Sequence, residues 1–298
     1  MRKSVFLLCI SALVLIPAGH YMAYSASRQA IRAVPNLERR SIIQSVQVSV
    51  DRDKNASVKK LRRECIEKAR ARILGRGKES LESETRLGDV RFIEYRIIED
   101  RSGRPVNIID SEDCDSGEKD RYKLSVKGEV EYELKNSTYD ADRLLSVLMN
   151  EARFLTVRIW TDKRKYVKGE KVKIYLEGNR DFYGKVVKVS VNGEVIQLIP
   201  NNYRQISSFE KGKIYTVPGK GDRFDLEVSP PFGTERIIVY ASDAPLSQKN
   251  MKLISKGLYQ YRSKLSSMEK SVRSCVTLDA GEMAEFYEAI WEIESVEE

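Results

Sequence analysis

The chain has 298 residues, with 52 lysines and arginines against 44 aspartates and glutamates, which gives a formal net charge of +8. Its one histidine, His20, lies in a segment that we expect to be removed on export, so the mature chain would contain none. This absence excludes Ser-His-Asp triads, Cys-His triads and histidine zinc sites, because each needs an imidazole near neutral pH. The remaining length suits about two domains, each with its own core.

Residues 1–25 have the pattern of a secretory signal peptide. Two basic residues precede the apolar run "VFLLCISALVLIPAG", and the small residues Ala23 and Ser25 follow it, so we expect cleavage after Ser25. Cys9 lacks the small neighbours that a lipid-attachment cysteine needs. The alternative is an uncleaved membrane anchor, but Pro17 interrupts the run before the roughly 20 residues that a membrane span requires. We therefore expect an exported protein, in the periplasm or outside the cell.

After a basic leader at residues 26–40, residues 41–152 are predicted to form an α+β domain. The run "SIIQSVQVSV" alternates and is rich in β-branched residues, which predicts a strand. An amphipathic helix is predicted from Ser57 to Leu74, with Gly75 and Gly77 following its end. Two further strands are predicted at 90–100 and 121–134, and a second helix at 139–152. The helical period of the first helix rests on Val58, Leu61, Cys65, Ala69 and Ile73.

The segment "DSEDCDSGEKD" between the last two strands carries six acidic residues and raises the hypothesis of a calcium site. Clustered carboxylates are the ligands that calcium prefers. However, Gly117 stands one place too early, counted from Asp113, for a helix-loop-helix calcium loop. A solvated hairpin tip is therefore the favoured interpretation, and no metal or other cofactor is predicted for the chain.

Three cysteines remain after export, so at least one thiol is expected to be unpaired in an oxidising compartment. Cys65 and Cys114 are the only pair within one predicted domain, and they are the candidates for a disulfide. The alternative is that Cys65 is a small apolar residue on a buried helix face.

From residue 154 to the end, short alternating strands predict a β-sandwich. Seven candidates follow one another between Leu155 and Ser242, separated by turn residues. Asn192 and Gly193 are the strongest hairpin signal among them, because both central residues of the favoured turn need positive φ. Pro200 should end the strand after that hairpin, since it lacks a backbone donor.

One insertion, residues 247–276, interrupts the sandwich pattern with apolar residues spaced alternately by three and four. That spacing predicts a basic amphipathic helix. Three alternatives remain open: the helix packs on its own chain, it contacts a partner protein, or it lies on an anionic membrane or cell-wall surface. The candidate partner-helix positions are Met251, Ile254, Leu258, Tyr261, Leu265, Met268 and Val272.

Residues of the predicted sandwich also carry a family resemblance. The runs "VRIWTDKRKYVKGEKVKIYLEGN", "VSVNGEVIQLIPN", "FDLEVSPPFGTERIIVYAS" and "DAGEMAEFYEAIWEIES" resemble an exported bacterial family, the domain of unknown function DUF4384, over residues 154–297. The resemblance implies an immunoglobulin-like sandwich closed by the last run, and it implies no chemistry. The positions that carry this structural motif are Trp160, Tyr166, Gly169, Tyr183, Asn192, Gly193, Pro200, Asn201, Pro218, Pro231 and Gly233.

The front domain has a second likeness, through its order of elements and the run "SVKGEVEYEL". It is similar to the strand-helix-strand-strand module found at the front of some outer-membrane lipoproteins and flagellar ring-assembly proteins. The lipid-attachment cysteine of such lipoproteins is missing here, so the likeness implies no membrane tether.

Two classes of function fit this organisation. The favoured one is a non-catalytic binding or scaffold protein whose partner is another envelope protein; export makes nucleic acid an unsuitable partner. The alternative is a glycan-acting enzyme or a glycan-binding protein of the envelope. An enzyme would have to use paired carboxylates, and sugars would stack on tyrosine rings. The candidate acids are Asp181, Asp222, Asp225 and Glu227, and the candidate rings are Tyr175, Tyr183, Tyr203 and Tyr215.

Overall fold

The computed structural model describes residues 37–52, 56–87, 90–91, 93–114, 120–136, 153–205, 207–247, 251–254, 257–261 and 265–298. The described residues belong to one compact unit, Asn36–Glu298. Their fold is mostly antiparallel β-sheet with two helices. The signal peptide, most of the basic leader and the helix predicted at 139–152 lie outside the described residues. Within the described part, no helix has the length and apolar character needed to cross a membrane.

The elements of the first half alternate strands with one long helix. They are β1 (Leu37–Asp51), α1 (Val58–Thr85), β2 (Arg86–Leu87), β3 (Val90–Arg91), β4 (Ile93–Ile97), β5 (Asn107–Cys114) and β6 (Arg121–Asn136).

The second half is almost entirely strands. They are β7 (Val157–Thr161), β8 (Lys165–Val167), β9 (Ile174–Gly178), β10 (Phe182–Val189), β11 (Val195–Ile199), β12 (Ser208–Phe209), β13 (Tyr215–Val217), β14 (Gly233–Ser242), β15 (Met251–Leu253), β16 (Tyr259–Tyr261) and β17 (Met283–Val296), with α2 (Leu265–Ser274) before the last strand.

One twelve-stranded sheet runs through both halves of the chain. Its order is β15-β16-β11-β10-β14-β17-β1-β6-β4, with β5, β8 and β12 attached at its margins. The strands β1 and β17 join the halves, because they pair in antiparallel register from Leu37 opposite Ile290 to Gln44 opposite Met283. The two regions that the sequence separates into domains therefore share a sheet.

The large sheet is covered on both faces. On the face that we call the front, the three-stranded sheet β13-β9-β7 packs through residues such as Ile159 and Leu176 against Val239 and Trp291 of the large sheet. Helix α1 covers the same face beside it, over β1 and β6. On the back face, α2 packs through Met268 and Val272. This layered arrangement is sandwich-like, as predicted.

Helix α1 is longer than the sequence predicts, because it continues through Gly75 and Gly77. Ser57, the first residue of the predicted helix, caps the first turn by accepting from the N–H of Lys60. The helix then continues through Gly77, which is buried against β6, where a Cβ would lie 3.2 Å from Val130 Cγ2. Gly128 of β6 makes room in the same way, since a Cβ there would lie 2.7 Å from Ile73 Cδ1. Glycine thus allows helix and sheet to approach closely.

The basic side chains of α1 protect an open sheet edge. Ser45 is the last residue of β1 that bonds on the β17 side, to Glu282 and Gly281. Beyond it, no strand among the described residues pairs with that side of β1, so the carbonyl groups of Gln47 and Ser49 lie on an open edge. Arg72 donates to the Gln47 carbonyl at 3.1 Å and Lys68 to the Ser49 carbonyl at 3.0 Å. Unpaired edges invite pairing with other chains, and lysine or arginine at an edge opposes it. Part of the positive charge on α1 therefore has a structural role.

We predict that replacing both Lys68 and Arg72 by methionine will promote self-association without unfolding the protein. The edge carbonyls of β1 lose their donors, while the buried face of α1 is unchanged. Light scattering across a concentration series should show a larger mass for this variant than for the wild type. The control is Lys59→Met with Arg63→Met, which removes the same charge from exposed positions of the same helix. Equal association of the two variants would contradict edge protection.

The insertion at 247–276 is not the continuous helix that the sequence predicts. Among the described residues of the insertion, the first part forms the short strands β15 and β16, and only Leu265–Ser274 is α-helical. Gly257, which has φ of +68°, lies between the two strands, where an added Cβ would overlap the ring of Tyr203. The apolar spacing reflects burial in two clusters, Leu258 in the one on the front face and Met268 and Val272 in the one on the back face, and it continues across a change from strand to helix. Leu258, Tyr261, Met268 and Val272 are all buried, so this part of the insertion packs on its own chain.

The predicted hairpin forms, but its turn spans residues 190–193: the N–H of Gly193 donates to the Ser190 carbonyl at 2.9 Å, so Val191 and Asn192 are the central residues. Gly193 has φ of +83°, Val189 pairs with Val195, and β11 ends at Ile199 immediately before Pro200. The closing strand predicted near the C-terminus is also confirmed as β17. Of the seven sandwich candidates, the run "RFDLEVS" forms no strand and contributes only an isolated bridge between Glu227 and Lys171.

Candidate functional site

A groove of about 570 Å³ opens at the end of the large sheet, where β10 and β12 meet β13. We call it the β10–β12 groove. Strand β12 adds to β10 by pairing Phe209 with Phe182 and Ser208 with Tyr183, and Tyr215 enters from β13. The lining residues come from three strands and three adjoining loops: Asp181, Phe182, Tyr183, Ser208, Phe209, Glu210, Lys213, Tyr215 and Asp243.

The floor of the groove is aromatic and tightly packed. Phe182 and Phe209 stack with ring centroids 4.8 Å apart, and Tyr215 meets Phe209 edge-on at 4.9 Å. Gly184 allows the stack, since a Cβ there would lie 2.9 Å from the ring of Phe182 and 3.0 Å from that of Phe209. Both phenylalanines are buried, whereas the ring of Tyr215 remains partly exposed. The accessible aromatic surface of the groove therefore belongs to tyrosine.

Acidic groups dominate the rim. Asp181, Glu210 and Asp243 are all exposed, and Lys213 is the one cation that lines the groove within the described residues. The ammonium of Lys213 lies 2.8 Å from Glu210 Oε1 and 5.3 Å from the centre of the Tyr215 ring. Arg180, next to the groove, lies 3.8 Å from Asp243 Oδ2. The rim thus keeps an excess of negative charge beside an aromatic ring.

A second charged site is buried beneath α2, and we call it the Arg273 cluster. The Nε group of Arg273 donates to Glu129 Oε1 of β6 at 2.7 Å, and its Nη2 group donates to Glu288 Oε2 of β17 at 3.1 Å. The side chains are 9%, 6% and 0% exposed respectively. The guanidinium also lies 5.2 Å from the ring centre of Phe286. One arginine therefore ties α2 to two strands of the large sheet.

Burial and charge set the protonation behaviour of the Arg273 cluster. Burial raises the pKa of Glu288, and the neighbouring Arg273 opposes part of that shift. Burial alone would lower the pKa of Arg273, but Glu129 and Glu288 outweigh it and raise that pKa. Burial, followed by the charge of Glu129, also raises the pKa of Glu131 on the same strand. The arginine therefore stays charged, and its role is to neutralise carboxylates inside the protein.

A cleft of about 430 Å³ lies beside the Arg273 cluster, and it is lined by Glu129, Glu131 and Arg273 together with Arg39 and Glu269. Positive and negative groups are mixed along its walls, and Arg39 pairs with Glu269 at 3.8 Å. The cleft thus presents no surplus of one charge beside an aromatic surface, in contrast to the β10–β12 groove.

The four candidate acids of an enzyme mechanism have separate partners. Asp181 lines the groove and accepts from the N–H of Lys211 at 2.7 Å. Asp222 is fully buried and bonds to Arg204, Asn201 and the N–H of Gly219. Asp225 forms an exposed ion pair with Lys171, and Glu227 belongs to the isolated bridge. These contacts give Asp222 and Asp225 structural partners.

The four candidate tyrosines divide in a similar way. Tyr183 and Tyr215 come together in the groove. Tyr175 stacks on Trp160 of the neighbouring strand, with ring centroids 5.6 Å apart. Tyr203 lies over Gly257 and beneath the guanidinium of Arg223.

Most of the family-motif positions lie in the core or at turns. Tyr166 is fully buried and donates to Asp162 Oδ1 at 2.6 Å. Asn201 is buried too, and its side chain bonds to the backbone of Leu198, Tyr203 and Arg204. Gly169 and Gly233 have positive φ. Pro200, Pro218 and Pro231 each follow a cis peptide bond.

The structure does not form the candidate disulfide. Cys65 lies on the face of α1 that packs on the sheet, and Cys114 lies opposite Lys123 on the other face of the sheet. Both thiols are free, as is that of Cys275. Burial raises the pKa of Cys65, which keeps it in the unreactive thiol form.

Part of the acidic segment that raised the hypothesis of a calcium site forms a strand. Residues up to Cys114 belong to β5, and Asp113 pairs with Arg62 of α1 at 2.8 Å. Among the described residues, no group of three or more His, Cys, Asp or Glu side chains is arranged to hold a metal ion.

Sequence reasoning missed most of both sites. Phe182, Phe209, Glu210, Lys213 and Asp243 carry no spacing that links them, since they meet only through the pairing of β12 with β10. A signal for the Arg273 cluster was present in β17, where Glu288 interrupts the apolar residues of the back face. A lone acid at a core position predicts a buried partner.

The comparisons with known proteins match one segment. No curated protein and no solved structure matches the chain significantly. The segment from residue 165 to residue 245 matches the model of one protein family, and it contains every residue that lines the β10–β12 groove. That family is DUF4384, a domain of unknown function, as the resemblance predicted.

Proposed function

We propose that the protein is a non-catalytic exported binding protein that uses the β10–β12 groove to hold another component of the cell envelope. One observation carries the proposal: the groove combines partly exposed aromatic surface with exposed acids, and it lies wholly within the segment that matches DUF4384. Concave sites with apolar walls and a few polar groups are the usual places for ligands.

The distribution of the other charged groups supports binding over catalysis. Arg273 neutralises Glu129 and Glu288, Arg204 neutralises Asp222, and each set has well-defined structural partners. Carboxylate catalysis would need two acids placed on either side of one substrate bond. We also propose that the sandwich has an immunoglobulin-like form and that an α+β front module presents it.

Glycan binding in the same groove is the second candidate. It is favoured by the meeting of Asp181, Tyr183 and Tyr215, because sugar rings stack on tyrosine while carboxylates accept from their hydroxyl groups. It differs from the first proposal only in the identity of the ligand.

We expect Ser208→Trp to abolish retention of the protein on envelope material. Ser208 is exposed on β12, so an indole there fills the groove without disturbing the core. The measurement is co-sedimentation of the chain from residue 26 with isolated peptidoglycan and, separately, with membrane vesicles. The matched control is Ser229→Trp, at an exposed serine outside the groove lining. Equal retention of both variants and the wild type would show that the groove is not the binding site.

A further inference from the structure

We infer that the β10–β12 groove recognises an alkylammonium group, an inference that rests on the proposed function of the groove as a binding site. The shared chemistry is a primary or quaternary amine, whether it belongs to a lipid headgroup or to a small soluble amine.

The groove carries an excess of negative charge. Its lining holds three carboxylates, those of Asp181, Glu210 and Asp243, and one ammonium, that of Lys213. Arg180 compensates part of the charge of Asp243 from outside the lining. A cation entering the groove is therefore attracted, and an anion is repelled.

Lys213 already places an ammonium group beside the aromatic ring of the groove. Its ammonium lies near the face of the Tyr215 ring at 5.3 Å from the centre and 2.8 Å from Glu210 Oε1. A cation within about 6 Å of an aromatic centroid is attracted by the ring quadrupole. Lys213 thus shows that the groove places a ring and a carboxylate at suitable distances around one ammonium.

The ammonium of Lys213 can be exchanged for the ammonium of a ligand. The lysine side chain is exposed and belongs to the turn before β13, so it can leave the ring without disturbing the strands. Tyr215 is held independently of it, because its hydroxyl accepts from the N–H of Glu210 at 3.0 Å. A ligand ammonium can therefore take the same place, while Asp181 and Asp243 provide further negative charge.

The test compares choline with 3,3-dimethylbutan-1-ol, an uncharged molecule of the same shape, by titration calorimetry and nuclear magnetic resonance on the chain from residue 26. We expect choline to bind and to shift the resonances of Tyr215, and we expect the uncharged molecule not to bind. Lys213→Met should tighten choline binding at least about fivefold by removing the competing cation. Tyr215→Leu should abolish binding, and Tyr215→Phe should retain it.

Two controls make the result specific. Lys211→Met removes the same charge from the same turn, but Lys211 is not part of the lining, so it should change choline affinity much less than Lys213→Met does. Ethanolamine-headgroup vesicles, with choline as a soluble competitor, separate a lipid source from a free amine: retention that choline displaces indicates the lipid, and choline binding without retention indicates a soluble amine.

The inference is overturned if the uncharged molecule binds as well as choline, or if neither binds even to the Lys213→Met variant. If neither binds while Ser208→Trp still abolishes retention on envelope material, the groove remains a binding site for a different ligand. If Ser208→Trp has no effect on retention and choline still fails to bind, the proposed function and the ammonium inference both fail.

Discussion

Arg273→Met is expected to lower the free energy of unfolding by about 3–5 kcal/mol, because it leaves two buried carboxylates without their cation. Glu288 is fully buried and Glu129 nearly so, and Arg273 is the cation to which both bond. Methionine fills similar space and preserves the contact with Phe286, so the loss would come from charge and not from a cavity. Urea unfolding followed by circular dichroism measures it.

The destabilisation should also depend on pH in a defined direction. Without Arg273, the burial of Glu288 loses its strongest opposing charge, so the folded-state pKa of Glu288 should rise further above the ordinary value of 4.5. A group whose pKa is raised by folding contributes stability below its unfolded pKa, and that contribution is lost as pH rises through the folded pKa. The stability difference between the variant and the wild type should therefore be small near pH 4.5 and grow toward pH 7.

Two controls accompany Arg273→Met. Arg63→Met changes an exposed arginine on α1 and should cost less than about 0.5 kcal/mol. Adding Glu129→Gln and Glu288→Gln to Arg273→Met removes the uncompensated charges and should recover much of the lost stability. A loss below about 1 kcal/mol that is the same at both pH values would contradict a neutralising role for Arg273.

The second large effect is expected when the two halves of the chain are separated. A fragment of residues 154–298 should lack a cooperative unfolding transition and should self-associate. Without β1, the long strand β17 loses its partner over the eight positions from Met283 to Ile290, and an open edge of this length invites pairing between copies. The fragment also lacks Ile43, which is fully buried against the back face of the sheet, and Glu129, which pairs with Arg273.

The effect is measured by thermal unfolding and light scattering of this fragment and of residues 36–298. The lost contacts together amount to several kcal/mol, which is comparable with the 5–15 kcal/mol that stabilises a whole domain. Mixing the fragment with residues 36–152 should restore a cooperative transition by supplying β1 and β6. A monomeric fragment that unfolds cooperatively by itself would show instead that the β1–β17 contact joins two independent domains.

The sequence by itself determined most of the local structure. Alternating β-branched residues marked β1, β6, β10 and β11, Ser57 marked the start of α1, and Asn192 with Gly193 marked a hairpin. The strand β17 was implied by the family resemblance. Each of these features depends on residues close together in the chain, such as a cap or a turn with positive φ. The resemblance to DUF4384 also rests on local runs, and the family match over residues 165–245 agrees with it.

Only the tertiary structure decided the rest, because the deciding contacts join residues far apart in the chain. Helix α1 continues past Gly77, where this glycine packs closely against Val130 of β6. The strands of the insertion depended on the pairing of β16 with β11. Burial in the protein interior produces apolar spacing in strands and helices alike, so that spacing could not separate β15 and β16 from α2. The Arg273 cluster and the β10–β12 groove exist only once β6, β12 and β17 have found their partners, since no short stretch of sequence contains either set of residues.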